Sequence, residues 1–278
     1  MTREREGGIV AAMPRRLRVS SGGFAYHVLN RAVGRTRIFG KLRDFEAFEE
    51  VLAEARQRLP VRLLAWCVMS NHWHLVLWPR GDGDLSEFMR WLTVTHTQRW
   101  HAAHHTSGSG PLYQGRFKSF PIQEDDHLLT VLRYVERNAL RTNLVSRAED
   151  WRWSSLWHRV RGGTPLLDDG PLSMPRDWRR YVQSPETEAE LAALRRSVVR
   201  GAPFGAESWQ GRTAKRLGLE STLRARGRPW KSSPPSNKDS RPLKATLKAT
   251  LKATLKATPL KRPPLKRPDP LKRLKAPL

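Results

Sequence analysis

Two histidines stand one residue apart in the stretch MSNHWHLVLW, Met69 to Trp78. Side chains two apart on a strand point to the same face. His72 and His74 could therefore offer two imidazoles to one cation, while Trp73, Leu75 and Leu77 pack on the opposite side. Two imidazoles do not close a structural zinc site, and the single cysteine, Cys67, provides no thiolate pair to complete one. A catalytic metal site needs at least a third ligand, with positions left open for substrate. Two histidines in ordinary hydrogen bonds are the plainer reading of the triplet taken alone.

A third ligand is available in LLTVLRYVERNALR. Its apolar stripe is Leu128, Leu132, Val135 and Ala139, supported by Val131 and Leu140, at helical spacing. Tyr134 lies off that stripe and shares a face with His127, Thr130, Asn138 and Arg141, with Arg137 one turn away. The bland alternative is a tyrosine at the rim of the core. The other tyrosines, Tyr26, Tyr113 and Tyr181, have no candidate metal ligand beside them at helical spacing. These residue types suit phosphodiester chemistry. A tyrosine hydroxyl titrates near pH 10, so it attacks poorly at neutral pH without help. A divalent ion held by two imidazoles and an amide can polarise a scissile phosphate, and Arg137 and Arg141 could position the flanking phosphates.

The elements that must carry these residues can be read from pattern. Residues 23–30 (GFAYHVLN) read as a strand, and 44–59 as a helix with Phe45, Phe48, Leu52 and Ala55 on one face. Residues 61–69 are apolar but for Arg62, as in a strand buried on both faces; Ser70-Asn71 forms a tight turn and 72–78 a second strand. A helix over 85–104 ends at TSGSGP, a short strand follows at 117–123, and a helix over 126–142 closes the series. The order β-α-β-β-α-β-α with a central hairpin predicts an α/β (α+β) ferredoxin-like sandwich with a largely antiparallel sheet. After Trp157 come a Gly/Pro-rich connector and a second helical region around 186–200.

Charge narrows the class of partner. The 278 residues carry a formal net charge of +25, which points to a polyanion, above all nucleic acid. No run of about 18 apolar residues exists to span a bilayer, and the N-terminal stretch lacks the apolar core of a secretory signal. The reading is a cytoplasmic, nucleoid-associated protein with no membrane partner. From Lys231 the chain becomes a low-complexity tail of LKAT repeats and Pro-Leu-Lys-Arg units, expected to be disordered and able to add salt-sensitive affinity for phosphates.

The chain resembles the REP-associated tyrosine transposases, relatives of the IS200-like single-tyrosine transposases within the HUH endonuclease superfamily. YHVLNRAVGRTRIF, MSNHWHLVL, LYQGRFKS, LLTVLRYVERNALRTNLV and WRWSS carry the resemblance, in the family's order, over roughly residues 23–157. It implies an HUH motif at His72-Trp73-His74, Tyr134 as nucleophile and Asn138 as third metal ligand, with Mg²⁺ or Mn²⁺ as cofactor. It also implies cleavage of single-stranded DNA near hairpins through a 5′-phosphotyrosine that leaves a free 3′-hydroxyl. Proline is usual where this chain has Ala139, and glycine is common where it has Asn143, which predicts altered helix geometry. The expected organisation is a flexible N-terminus (1–16), an HUH transposase/nuclease domain (17–160), a basic helical extension (161–230) and the tail (231–278), acting as monomer or homodimer.

Three further features bear on function. In LYQGRFKS, Arg116 and Lys118 are expected to contact single-stranded DNA. Arg226-Gly227-Arg228-Pro229 resembles the core of an AT-hook, whose arginines enter the minor groove. His101, His104 and His105 read as a solvated helix end, and most of the eleven tryptophans as core. Two other functions fit the same residues. One is a catalytically inactive, domesticated nucleic-acid-binding protein of this fold. The other is a metal-dependent phosphodiesterase that uses water as its nucleophile.

Overall fold

The computed structural model describes residues 19–224, all within one compact unit that ends at Arg226. The readings made of the N-terminus, of Arg226 and Arg228 and of the repeat tail lie outside the described residues.

Four strands form one antiparallel sheet: β1 (Ala25–Arg31), β2 (Val61–Met69), β3 (His72–Pro79) and β4 (Lys118–Ile122), in the order β2-β3-β1-β4. Helices α1 (Leu42–Arg58) and α2 (Asp84–Ala103) cover one face; α3 (Asp126–Glu136) covers the other. This is the ferredoxin-like α+β sandwich that the pattern predicts, and alternation builds it, interrupted in β2 by a bulge between Leu63 and Ala65. Trp73, Leu75 and Leu77 join Tyr26 and Val28 beneath α1 and α2, with Trp66 fully buried among them. His74 and Val76, with Ala25 and Cys67, face α3.

The β2–β3 turn is pinned in place. Ser70 O accepts from the backbone N–H of Ile38 and Phe39, and Asn71 O accepts from that of Ala32. His72 therefore starts β3 at a fixed position against Arg31, and His74 faces Leu29 on one side and Cys67 on the other.

Both outer edges of the sheet are capped. On β2, Val68 N–H donates to Trp153 O at 2.8 Å, Trp66 N–H to Ser155 Oγ at 3.1 Å, and Leu63 O accepts from Asp168 N–H. On β4, Pro121 O and Gln123 N–H both pair with the backbone of Phe204, each at 2.9 Å. Unpaired edges invite strand addition from other chains, and here segments of the same chain occupy those hydrogen-bonding groups.

One expected element is divided. The helix predicted over 126–142 breaks at Arg137 into α3 and a short α4 (Asn138–Arg141). At the break Tyr134 O accepts from the Arg141 side chain at 3.4 Å, and Ala139 packs into the core that holds Cys67. The break falls where the resemblance places a proline, a residue with no N–H to contribute. The second helical region is present as α7 (Glu188–Arg200), opened by a Thr187/Glu190 capping box and closed by Gly201 in the left-handed conformation. Its Leu191 and Leu194 join the α3-side core, as do Trp178 and Val182 of α6 (Trp178–Gln183).

Candidate active site

The sheet register gathers three histidines rather than two. His72 and His74 share the α3 face, with ring centroids 5.1 Å apart. His27, on neighbouring β1, stands diagonally across from His74, and its Nε2 lies 2.8 Å from His74 Nδ1. Asn71 Nδ2 donates to Arg35 O, so Asn71 Oδ1 is the acceptor for His72 Nδ1 at 2.6 Å. His72 then carries its proton on Nδ1 and presents a lone pair at Nε2. Burial pushes the three imidazoles toward the neutral form. It holds His27 down to about 3, with Arg141 adding to the effect, and His72 down to about 4, with Arg31 and Arg141 adding. His74 falls well below the ordinary range for the same first reason, reinforced by His27 and His72. Neutral imidazole is the form that ligates a metal.

Above these rings sits Tyr134. Its ring centroid is 5.9 Å from that of His74 and 6.0 Å from that of His27, both edge-on. Tyr134, Thr130 and Asn138 are all buried. Their face of the helix meets the histidine face of the sheet. The Arg141 guanidinium lies 4.0 Å over the Tyr134 ring, and its Nη2 donates to Asn138 Oδ1 at 2.7 Å. Asn138 Nδ2 is buried without a hydrogen-bond partner. Since Ala139 packs in the same core as Cys67, the cross-strand neighbour of His74, Asn138 is held on the same side of the sheet as the histidines.

A divalent cation fits this donor set. Both His72 and His74 have Nδ1 engaged, so each has Nε2 left for ligation. The orphaned Asn138 Nδ2 marks a side chain whose polar atoms are not settled by the protein alone. Rotating the amide about its last torsion would exchange Nδ2 and Oδ1. Among the described residues, no group of three or more His, Cys, Asp or Glu side chains is arranged to hold a metal. The candidate set of two imidazoles and an amide is of a different kind.

The remaining expected residues divide by exposure. Arg116 and Lys118 are exposed at the start of β4, free to meet a strand of nucleic acid. Arg137 and Arg141 are largely buried, and their Nη1 atoms stand 3.5 and 3.6 Å from the carboxylate of Glu186. That carboxylate is itself almost wholly buried. The phosphate-positioning role expected of these arginines thus begins from an internal ion pair. His104 stacks on Trp100 and pairs with Asp44, while His101 bonds Thr106, so the α2 end is a set of local contacts. Sequence reasoning missed His27 and Glu186. His27 sits within an apolar strand pattern, and only the β1–β3 register reveals its partner.

Residues 20–138 match the family described as "Transposase IS200 like". A solved structure of a REP-associated tyrosine transposase bound to a REP hairpin is 17% identical, covering 63% of this chain and all of that one, with a TM-score of 0.46. A crystal structure from Deinococcus radiodurans R1, described as that of a candidate transposase, is 16% identical. It covers 49% of this chain and 96% of that one, with a TM-score of 0.32. No curated protein matches the chain.

Proposed function

We propose, from the match of residues 20–138 to the IS200-like transposase family, that the chain cleaves and rejoins single-stranded DNA beside hairpins through a covalent bond to Tyr134. The observation that carries this reading is the Tyr134 ring set 5.9 Å from that of His74 in the same chain, with Arg141 against it. His72 and His74 through Nε2, and Asn138 through Oδ1, would hold Mg²⁺ or Mn²⁺. When bound, such an ion polarises the scissile phosphate and stabilises its developing charge.

The chain's own residues do the rest. Burial keeps the imidazoles neutral, and the α3 face keeps bulk water from them. The Tyr134 hydroxyl attacks phosphorus: the Tyr–O–P bond forms as the P–O3′ bond breaks. The departing 3′-oxygen takes up a proton, matching the one lost by the phenol. Rejoining is the reverse, with a 3′-hydroxyl attacking the phosphotyrosine. Arg141, bonded to Asn138 and stacked on Tyr134, is placed to transfer its donors to a phosphate. Arg116 and Lys118 extend the cationic track along the strand.

Incubation with hairpin-containing single-stranded DNA and Mn²⁺ should give an adduct stable to denaturation, together with a free 3′-hydroxyl product. Tyr134→Phe should abolish the adduct, and an undiminished adduct in that variant would refute Tyr134 as nucleophile. Cleavage without any protein–DNA adduct would instead mean that water is the nucleophile. One observation favours an inactive DNA-binding protein: the Asn138 carbonyl is occupied by Arg141 and the arginines by Glu186. On that reading hairpin binding is equal with and without metal, and no metal supports cleavage.

A further inference from the structure

We propose that His27 is a positioning residue for the candidate metal centre: it accepts a hydrogen bond from His74 Nδ1–H and so holds the His74 Nε2 lone pair toward Tyr134. The inference rests on the metal-dependent reading above and assigns a role to a residue that reading does not use.

The geometry leaves few alternatives for the proton between the two rings. Nε2 of His27 and Nδ1 of His74 are 2.8 Å apart, so one of them carries a hydrogen and the other accepts it. If His27 donates, His74 keeps its own hydrogen on Nε2 and cannot ligate there. If His74 donates, its Nε2 is a free donor of electrons to a cation, matching His72, whose Nε2 lone pair is fixed by Asn71. Two ligands on one strand thus need two partners of opposite origin. For His72 it is an amide in the turn; for His74 it is an imidazole on the next strand. Hydrogen-bond partners behind a ligating imidazole fix its tautomer and ring orientation.

The surroundings hold His27 to this task. It is fully buried, with Phe120 at 4.9 Å and Tyr134 at 6.0 Å between ring centroids. The β1–β3 and β1–β4 pairings place it opposite Val76 and Phe120, so the ring cannot swing out without leaving the core. Its other nitrogen, Nδ1, is buried with no partner. In the ligating tautomer that atom carries a hydrogen left unsatisfied, a penalty that a fold with no use for the His27–His74 bond would avoid by placing an apolar residue here.

The test compares two amides of different reach, measuring Mn²⁺ binding to the full chain without DNA by the electron paramagnetic resonance of the free ion. Glutamine sets its carbonyl near the position of an imidazole Nε2, asparagine near that of Nδ1. His27→Gln should keep affinity within a few-fold, and His27→Asn should lose about 10–100-fold. His27→Phe retains the ring volume without an acceptor and should lose as much as asparagine; it carries the test if an amide variant fails to fold. Equal losses in His27→Gln and His27→Asn, or wild-type affinity in His27→Phe, would mean that His27 only fills space, overturning the proposal. If Mn²⁺ binds the wild type and His72→Ala abolishes that binding, the metal site stands whatever the His27 variants show. If the wild type binds no Mn²⁺ with or without hairpin-containing DNA, the metal reading falls and this inference with it. Replacing the protein's Mn²⁺ with Co²⁺ gives an independent readout: the visible spectrum should be the same in wild type and His27→Gln, whereas a changed spectrum would make His27 a direct ligand and refute the positioning role.

Discussion

Glu136 ties the helix that carries Tyr134 to the rest of the chain, and its replacement should unlock that attachment without touching the chemistry. The carboxylate is fully buried on α3. Its Oε1 accepts from Ser155 Oγ at 2.5 Å and Arg159 Nε at 2.8 Å, and its Oε2 accepts from Trp178 Nε1 at 2.6 Å. One side chain thus joins α3 to α5 (Ser155–Arg159) and to α6. In Glu136→Gln the shape is retained, but one oxygen becomes an NH₂ group. Turned toward Trp178 it opposes an indole N–H; turned the other way it opposes the Arg159 guanidinium. One donor is left facing another, and Arg159 loses its counter-charge. Removing one partner of a buried pair costs about 3–5 kcal/mol. Arg159 retains some exposure and a further bond to Leu64 O, so the lower end, about 3 kcal/mol, applies here. For a folded region of this size that corresponds to a fall in Tm of roughly 6–12 °C.

Urea and thermal unfolding followed by circular dichroism would measure the change, with Glu136→Gln/Arg159→Met as the control that removes both charges. The double variant should recover at least half of the loss. Adduct formation by the single variant, assayed well below its Tm, should stay near wild type, because Glu136 bonds none of His72, His74 or Asn138. A Tm within about 2 °C of wild type would refute the argument, as would a double variant less stable than the single one.

Acid should destabilise the protein in a defined window. His27 and His96 are held down to about 3 and His72 to about 4, all mainly by burial. Below pH 6.5 the unfolded chain takes up protons that the folded one refuses, so stability present above pH 6.5 is lost as pH falls toward about 4 for His72 and about 3 for His27 and His96. Each of these histidines contributes up to about 1.4 kcal/mol per pH unit. Urea titrations between pH 7 and 5 should show that slope lessened in His96→Phe, and an unchanged slope would refute the assignment. For the exposed pair Arg116 and Lys118, alanine at either position should weaken single-strand binding. The slope of log affinity against log salt should fall by about 0.7 for each phosphate that the variant leaves unneutralised, as measured by fluorescence anisotropy over a salt series. No change in slope would remove them from the interface.

The sheet and its hairpin were legible because β1 and β3 alternate with a simple period. The apolar run Val61–Met69, the two-residue turn and the alternation through His72 to Trp78 leave one arrangement that buries Trp73, Leu75 and Leu77 together. The same alternation placed His72 and His74 on one face. Three features were not legible, because each depends on a partner distant in sequence. The break at Arg137 lies beside Ala139, which packs into the core that holds Cys67, a contact that no local propensity encodes. His27 becomes meaningful only when β1 is laid against β3 in register. Glu186 follows a connector with no periodic pattern, yet it reaches back some fifty residues to two arginines that looked like free phosphate ligands.

The charge balance of the site makes a final prediction about order of assembly. The three candidate ligands, His72, His74 and Asn138, are neutral, and no carboxylate is among them. A divalent ion placed there adds two positive charges beside Arg141, whose field already disfavours a proton on each of the three histidines. Glu186 supplies a compensating charge to Arg141, and it is shared between Arg137 and Arg141 at 3.5 and 3.6 Å. Metal binding to the protein alone should therefore be weak, and a DNA phosphate should strengthen it by supplying the missing negative charge. Coupling between sites is reciprocal. If hairpin-containing DNA raises Mn²⁺ affinity by about 10-fold in the uncleaving Tyr134→Phe variant, saturating Mn²⁺ must raise DNA affinity by the same factor. Glu186→Gln should enlarge that factor, since it removes the charge that stands in for the phosphate. Calorimetric titrations in both orders measure the two factors. Independence of metal and DNA, or a coupling diminished in Glu186→Gln, would show that the site's charge is balanced by groups other than these.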